Sequence, residues 1–297
     1  MTHDNDVKKQ FAENGFAGPF KAYEPEEAKS LLKQIRKGFQ NRSNMLWDND
    51  LNYERHFDVP ELTQHIGNKA IIDKLTSILG PDIFCWRNET FPKFPGSPGT
   101  QWHQVEDFRY TSGTPALVPI ENHPSIPMDV TVWTAFTEAT IENGCMKFLP
   151  GSHKIRYYDE SKTPTVGRND DYDALMDDTP FYGYDFDDFK VDPNWSPNED
   201  EAVSMEMQPG EFVIFTSRCC HASHPNITKR STRMGITARY VPTFVQVYPG
   251  QSTFFEHGSV CDLDKYGVVL VSGNDEYKLN KIRETNNLGQ AFPYHGS

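Results

Sequence analysis

The stretch Gly99-Thr-Gln-Trp-His-Gln-Val-Glu-Asp-Phe108 follows a run of prolines and glycines and leads into a predicted strand. On a strand, residues two apart point to the same side. Many non-haem iron sites begin with a histidine and a carboxylate at this spacing, and take a second histidine from far along the chain. Here the residue two positions after His103 is Val105, and the acid Glu106 comes one position later. The stretch is therefore typical of an iron site, except that its acid is displaced by one residue.

A second histidine is needed to complete such a site, and His221 is the best candidate. It lies in Phe215-Thr-Ser-Arg-Cys-Cys-His-Ala-Ser-His-Pro225, directly after a predicted strand. Arg233 follows twelve residues later and Arg239 six after that, and an even spacing within one strand keeps both on the same side. An arginine in this place commonly binds the carboxylate of a co-substrate through two parallel hydrogen bonds.

Each of these residues also has a simpler interpretation. A single histidine is more often a hydrogen-bonded structural residue than a ligand, and we expect His153 and His224 to be structural. The cluster Cys219-Cys220-His221-His224 suggests zinc, but adjacent cysteines on a strand point opposite ways and no second cysteine pair stands at zinc-ligand spacing. The residues alone favour iron modestly and leave the structural and zinc alternatives open.

Short strands separated by glycine and proline dominate the chain beyond residue 82. The predicted strands are Ile83–Arg87, Val130–Phe136, Cys145–Phe148, Ser204–Met207, Glu211–Thr216 and Met234–Tyr240. Many short strands after a helical region predict a mainly β protein with flanking helices, whose core is a double-stranded β-helix of the jelly-roll, cupin-like kind.

We expect a single domain over residues 1–297, with a helical flank at about 1–80 and the jelly-roll core at about 81–250. One helix is predicted from Pro25, and a second from Pro60 to the Gly80-Pro81 stop. The segment at about 154–203 is too long for a simple connection and predicts a lid-like insert. Between Ile155 and Val203 the chain carries fourteen acids and four bases, −10 of its net charge of −13, so a solvated acidic loop is the favoured interpretation.

Composition excludes several classes of partner. No basic stripe is present, so nucleic-acid binding is not expected. No run of eighteen apolar residues is present either, so no membrane-spanning segment is expected. The five cysteines are an odd number and two are adjacent, which argues against a disulfide framework and favours a reducing cytoplasm.

Motifs that match one known protein family occur in the same order along nearly the whole chain. They are Asn14-Gly-Phe-Ala-Gly-Pro-Phe20, Ser77-Ile-Leu-Gly-Pro81, Cys85-Trp-Arg87, Phe91-Pro-Lys93, Trp102-His-Gln104, Thr131-Val-Trp-Thr-Ala-Phe-Thr137, Asn143-Gly-Cys145, Pro150-Gly151, His221-Ala-Ser223, Arg233-Met-Gly235 and Arg239-Tyr-Val-Pro242. In these motifs the sequence resembles the iron(II)/2-oxoglutarate-dependent aliphatic halogenases of nonribosomal peptide pathways, the syringomycin-pathway type, within the phytanoyl-CoA dioxygenase superfamily.

The resemblance implies a role for each candidate residue. His103 and His221 would bind iron(II). Arg233 would bind the distal carboxylate of 2-oxoglutarate, in a pocket lined by Thr131 and Trp133. Two further residues, Arg239 and Ser217, would support the halide side of the metal through water or hydrogen bonds.

Val105 is where the sequence departs from that family. The halogenases have Ala or Gly here, which leaves a coordination position for chloride, whereas the hydroxylases have Asp or Glu. Valine offers no oxygen, yet its two methyl groups crowd the place where chloride would bind. A bulge could turn Glu106 toward the metal. The related halogenases also carry an acid at this place beside their Ala, however, so the resemblance implies that Glu106 faces away and binds a backbone group or an arginine.

The leading prediction is therefore chlorination of an unactivated aliphatic carbon, with iron(II), 2-oxoglutarate, O2 and chloride. The resemblance implies that the substrate is a small aliphatic amino acid, free or tethered to a peptidyl carrier protein. A hydroxylase that uses the same site is the first alternative, and a non-catalytic jelly-roll binding protein is the second.

Overall fold

The computed structural model describes residues 2–42, 45–47, 52–121, 123, 126–162, 185–256 and 259–296. Within these ranges the α-helices are α1 (Thr2–Asn14), α2 (Pro25–Gly38), α3 (Pro60–His65), α4 (Lys69–Leu79) and α5 (Arg109–Ser112). Short 3-10 helices cover Arg55–Phe57, Ser152–Lys154, Phe186–Phe189 and Glu199–Glu201.

The strands, within the same ranges, are β1 (Phe16–Lys21), β2 (Ile83–Lys93), β3 (Thr100–His103), β4 (Leu117–Pro119), β5 (Val130–Ala135), β6 (Met146–Phe148), β7 (Val203–Met205), β8 (Glu211–Phe215), β9 (His221–Ser223), β10 (Arg233–Pro242), β11 (Val245–Val247), β12 (Thr253–Glu256), β13 (Ser259–Asp262) and β14 (Val269–Ser272). A large sheet has the strand order β1-β8-β5-β10-β2-β14, and a smaller sheet has the order β3-β9-β6-β7. The remaining four strands form two separate pairs, β11 with β4 and β12 with β13.

Alternation along the strands of the large sheet builds two apolar layers. Val132, Ile214 and Tyr240 belong to the same buried cluster as the apolar face of α4. Trp133 and Phe215, on the other face, pack with the smaller sheet, where the rings of Phe148 and Phe215 lie 5.0 Å apart. Two facing antiparallel sheets with helices on the outside confirm the predicted jelly-roll.

The second predicted helix is in fact two. The chain leaves the helical path at Ile66-Gly67-Asn68, and α4 restarts where the Asn68 side chain accepts a hydrogen bond from the Ala70 N–H at 2.9 Å. Pro293 packs against Gly67, and a Cβ at that position would collide with it. The apolar spacing continued across the break and concealed it, although Gly67 followed by an N-capping asparagine was a visible stop-and-start signal.

The large sheet extends beyond the predicted core at both ends. β1, from the predicted helical flank, pairs with β8, and β14, beyond residue 250, pairs with β2. Pairing between segments so far apart in sequence is set by tertiary packing and leaves no local signal. The predicted insert at about 154–203 lies partly outside the described residues, and its described part from residue 185 onward packs on β3 through the Phe186–Phe189 helix.

All five cysteines are buried free thiols, as expected for a chain without a disulfide framework. A helix both long and apolar enough to cross a membrane does not occur among the described residues.

Candidate metal centre

His103 and His221 are direct neighbours across the smaller sheet. His103 ends β3 and His221 begins β9, and the two residues pair in the antiparallel register. Their ring centroids lie 4.1 Å apart at an interplanar angle of 54°. The structure thus brings together two histidines that are far apart in sequence, and it fixes their spacing through the backbone of the sheet.

Both imidazoles are held by their Nδ1 atoms. Nδ1 of His103 lies 2.9 Å from the Gln101 carbonyl oxygen, and Nδ1 of His221 lies 2.7 Å from the Cys219 carbonyl oxygen. A carbonyl only accepts, so each Nδ1 carries the proton and donates it, which makes each Nε2 the lone-pair nitrogen. This is the arrangement by which a histidine is oriented for a metal.

The charge state of the pair also suits a metal. Burial lowers the pKa of His103 to about 4. Burial, and then the neighbouring His103, lowers the pKa of His221 well below its usual range. Both rings are therefore neutral near pH 7, and neutral imidazole is the form that coordinates a metal.

Phe186 covers His103, and sequence reasoning missed it. Its ring stacks on the His103 ring at 4.4 Å and 25°. Gln101 holds this contact from β3, because its Oε1 accepts from the Phe186 N–H at 3.0 Å and its Nε2 donates to Asp185 at 2.9 Å. A Phe-x-x-Phe pair within a strongly acidic segment was the available signal, since two buried aromatics do not fit a solvated loop.

We expect Phe186→Ala to weaken iron(II) binding by about two- to tenfold, because an aromatic pair contributes ~0.5–1.5 kcal/mol beyond its burial. Anaerobic iron titration measures this affinity. Phe189→Ala is the matched control, because Phe189 lies in the same 3-10 helix and contacts Tyr110 and Phe186. If Phe186→Ala binds iron(II) as tightly as Phe189→Ala does, the stacking of Phe186 on His103 does not contribute to iron affinity.

Val105, the residue predicted for the third-ligand position, lies two residues beyond His103. Its N–H donates to the Ser217 carbonyl at 2.9 Å, and its side chain is buried. Glu106 points elsewhere: its carboxylate lies 3.6 Å from Arg218 and is partly exposed, as expected. Among the described residues no group of three or more His, Cys, Asp or Glu side chains gathers into a metal-binding cluster. Among the described residues, no carboxylate therefore joins the two histidines in such a cluster.

A polar group centred on Arg239 lies beside Val105. Its Nη1 lies 2.8 Å from Thr131 Oγ1 and 3.4 Å from Ser217 Oγ, and its Nε donates to Glu89 at 2.6 Å. Ser217 in turn donates to the buried Asp129. The small cavity beside these groups is lined by Tyr53, Glu89, Phe91, His103, Val105, Phe108, Tyr110, Ser217, His221, Arg239 and Glu256. The structure therefore places Arg239, Ser217 and Val105 around one cavity with both histidines.

Arg233 is the first residue of β10 and is almost fully buried. Its guanidinium lies over the Trp133 ring at 5.1 Å and donates to the Gly144 and Phe91 carbonyls at 3.1 and 3.0 Å. Thr131, predicted to line the same pocket, lies instead opposite Arg239. The antiparallel register places Thr131 near Arg239 because β5 and β10 run in opposite directions. Trp133 lies opposite Thr237, and its long indole reaches from there to Arg233.

Sequence reasoning also missed a buried charge network below the cavity. Arg87, with no exposed surface, pairs with Glu256 and lies 3.2 Å from Glu89 and 3.9 Å from Glu54. Burial raises the pKa of Glu54 to about 8. Arg87 and Glu89 lie on β2, where charged residues two apart usually face solvent, and only the tertiary structure reveals that they are buried.

The alternative zinc site finds no support. Cys219 Sγ lies 3.5 Å from the Leu149 carbonyl and 3.6 Å from the Asn14 carbonyl, and burial raises its pKa to about 12. A neutral buried thiol is a poor zinc ligand. His224 lies 2.8 Å from the Ser204 hydroxyl through Nε2, as expected for a structural histidine.

A larger cavity of about 610 Å³ borders Val105 on another side. Its inner end is formed by Val105, Asp129 and Ser217, and its walls include Phe11, Ile78, Met128 and Phe244. Exposed basic residues (Lys8, Lys154 and Arg218) also line it. Val105 thus lies between this cavity and the histidine pair, since it lines the small cavity as well.

Comparison with known proteins identifies the class. A family model described as phytanoyl-CoA dioxygenase (PhyH) matches residues 11–235. The chain therefore belongs to the phytanoyl-CoA dioxygenase family, the superfamily that the sequence motifs indicate. Members of this family are iron(II)- and 2-oxoglutarate-dependent oxygenases, so the predicted oxidoreductase class and the predicted cofactors are confirmed at the level of the family.

Individual relatives agree with this class. Dioxygenase lolE1 of Epichloe uncinata is 24% identical over 188 residues, which are 63% of this chain and 57% of that protein. Methylphosphonate hydroxylase of Gimesia maris is 26% identical over 172 residues, 58% of this chain and 51% of that protein. The matched regions thus span little more than half the length of these relatives.

A solved structure is similar over its whole length. CytC3 with Fe(II) and alpha-ketoglutarate (2-oxoglutarate) is 34% identical, with a TM-score of 0.76, and the match covers 98% of this chain and 97% of that one. The non-haem monooxygenase ThoJ, solved as a nickel complex, is 20% identical with a TM-score of 0.63 over 95% of this chain and 90% of that one, and it supports the fold alone.

Proposed function

We propose that this chain is an iron(II)/2-oxoglutarate-dependent halogenase that chlorinates an unactivated carbon of a small aliphatic amino acid. One observation carries the proposal: the residue at the third-ligand position is Val105, and the described residues supply no carboxylate to the His103–His221 pair. A site with two histidines and no carboxylate leaves a coordination position for an external anion.

The donor set fits the metal and its co-substrate. His103 and His221 would hold iron(II) through Nε2, and Arg233 over Trp133 would bind the distal carboxylate of 2-oxoglutarate. When bound, iron(II) and 2-oxoglutarate supply, with O2, the oxidising power that removes a hydrogen atom from an aliphatic carbon, while 2-oxoglutarate is converted to succinate and CO2. The structure of CytC3 with both cofactors, at 34% identity, supports this assignment.

The protein's own contribution is orientation and charge. Arg239 and Ser217 line the small cavity beside Val105, and because the Ser217 hydroxyl already donates to Asp129, Arg239 is the residue that would bind an anion at the open position. Glu89 and Asp129 compensate the Arg239 charge and hold the group in place. The buried apolar surroundings of Val105 and Phe108 exclude water from the reacting carbon.

The larger cavity is where we propose the substrate binds. Its volume of about 610 Å³ is within the range of small-molecule sites, and its inner end reaches Val105 and Ser217. Its apolar lining residues, among them Phe11, Ile78 and Phe244, would suit an aliphatic side chain. The exposed Lys8 and Lys154 would suit an anionic group outside it, such as the tether of a carrier protein.

Hydroxylation is the second candidate, and the bulk of Val105 favours it. Two methyl groups occupy part of the space that the halogenases leave to chloride, and interiors have little room to adapt. Water, being smaller than chloride, would then fill the open position.

Omitting chloride separates these functions. We expect chlorinated product from a panel of free and carrier-tethered amino acids, detected by mass spectrometry, and loss of that product without chloride. Hydroxylated product in equal yield with and without chloride would overturn the halogenase assignment in favour of the hydroxylase. A non-catalytic protein would give neither product, nor would it show the visible charge-transfer band when iron(II) and 2-oxoglutarate are added anaerobically.

A further inference from the structure

Lys93, the last residue of β2, lies directly opposite Arg233 of β10 in the antiparallel register. The two residues are only 5% and 3% exposed. Directly opposed residues project from the same face of a sheet, with Cβ atoms about 5 Å apart. Two basic side chains therefore lie side by side in a buried place, on the face that also carries Trp133.

The Lys93 side chain is held in one position. Its aliphatic part packs on Gly144, where a Cβ would collide with Lys93 Cδ, and the backbone of Gly144 has a φ of +95° that suits glycine. Its ammonium donates to the Pro98 carbonyl at 2.7 Å, the one acceptor that the described residues give it. An ammonium has three N–H donors, so Lys93 can bind a further acceptor beside Arg233.

Burial, and then the charge of Arg233, lowers the pKa of Lys93 to about 7. Two other titratable groups lie nearby. One is His224, just beyond β9, whose pKa Lys93 helps to lower, and the other is the buried thiol of Cys145. The charge of Glu206 acts to raise the pKa of both. Within the described chain, no carboxylate contributes to the Lys93 pKa. An anion bound here would thus meet one permanent cation and one that is half-protonated at neutral pH.

We propose that Lys93 is a second binding residue for the distal carboxylate of 2-oxoglutarate, acting beside Arg233. This rests on the proposed function, in which 2-oxoglutarate binds at Arg233. A carboxylate between the two residues accepts hydrogen bonds from both and offsets two buried charges that otherwise repel each other.

The proposal couples co-substrate binding to a proton. The bound carboxylate favours the ammonium form and raises the Lys93 pKa, so binding at pH 7 takes up about half a proton. Protonated Lys93 is the form that binds, so affinity is highest below pH 7. Above pH 7 affinity falls by up to about tenfold per pH unit, until the pKa of the bound state is reached.

Calorimetry tests this without turnover. The iron(II)-loaded protein is titrated anaerobically with 2-oxoglutarate at pH 7, in two buffers that differ in ionisation enthalpy. We expect uptake of about half a proton in the native protein and none in Lys93→Met, with affinity about ten- to hundredfold lower in that variant. Lys93→Arg, whose charge is permanent, should keep most of the affinity without proton uptake.

Two control variants separate the possible failures. Lys147→Met removes a mostly buried lysine that pairs with Glu199 at 2.6 Å, and it should change neither quantity. If Arg233→Met binds 2-oxoglutarate normally, the position proposed for the co-substrate is wrong. If Arg233→Met loses binding while Lys93→Met and Lys93→Arg keep both the native affinity and the native proton uptake, the role of Lys93 is overturned. Should Lys93→Met not fold, Lys93→Arg alone decides through proton uptake.

Discussion

Replacing either His103 or His221 with alanine should lower iron(II) affinity by more than about 100-fold. This is more than the loss of affinity expected when a residue that only supports a metal ligand is removed. The remaining histidine would be a single side-chain ligand, because the described residues place no third ligand at the pair. Both variants should keep the fold, since His103 and His221 pair through the backbone of the sheet and the lost rings are small. Bound iron per chain, measured by mass spectrometry after anaerobic loading, gives the result.

His224→Ala is the matched control for these variants. His224 lies just beyond β9, three residues after His221, but its Nε2 lies 2.8 Å from the Ser204 hydroxyl. It should bind iron as the native protein does. Native iron stoichiometry in both the His103 and the His221 variants would refute the metal-centre assignment.

Val105→Ala should tighten chloride binding by about tenfold. The substitution removes two methyl groups from the wall of the small cavity, and relieving a crowded contact is worth ~1–3 kcal/mol. Chloride affinity can be measured from the change that chloride causes in the visible band of the anaerobic iron(II)–2-oxoglutarate complex. The variant should lose only about 1 kcal/mol of unfolding free energy, because Val105 is one edge of a large buried cluster.

The series extends in the opposite direction with Val105→Leu, which enlarges the side chain and should weaken chloride binding. Chloride affinity that stays constant across Ala, Val and Leu would show that Val105 is not the wall of the open position. Thermal unfolding of each variant separates crowding from loss of structure.

Much of the fold could be predicted from the sequence because its strands are short, largely apolar runs separated by glycine and proline. Val130–Phe136 and Glu211–Thr216 differ from β5 and β8 by a single residue. What could not be predicted was pairing at long range. Phe16 lies opposite Phe215 because the two sheets close around a shared core, and no local pattern encodes that partnership.

The candidate site shows the same limit, because its local features could be predicted and its tertiary contacts could not. His103, Val105 and His221 could be proposed from the sequence because ligand spacing and neighbouring turns are local features. Phe186 could not be assigned, since its segment is dominated by charge and its contact with His103 depends on tertiary packing. Lys93 was also overlooked, because a lysine before a turn is usually exposed and only the pairing with Arg233 shows that it is buried.

The backbone pairing of His103 with His221 determines when, during synthesis of the chain, the proposed metal site can form. A nascent chain that ends before β9 holds one of the two histidines, and a single histidine retains iron weakly. In the proposed metal site, iron would therefore bind tightly only after β9 has been synthesised and has paired with β3. Iron uptake would then report that the smaller sheet is complete.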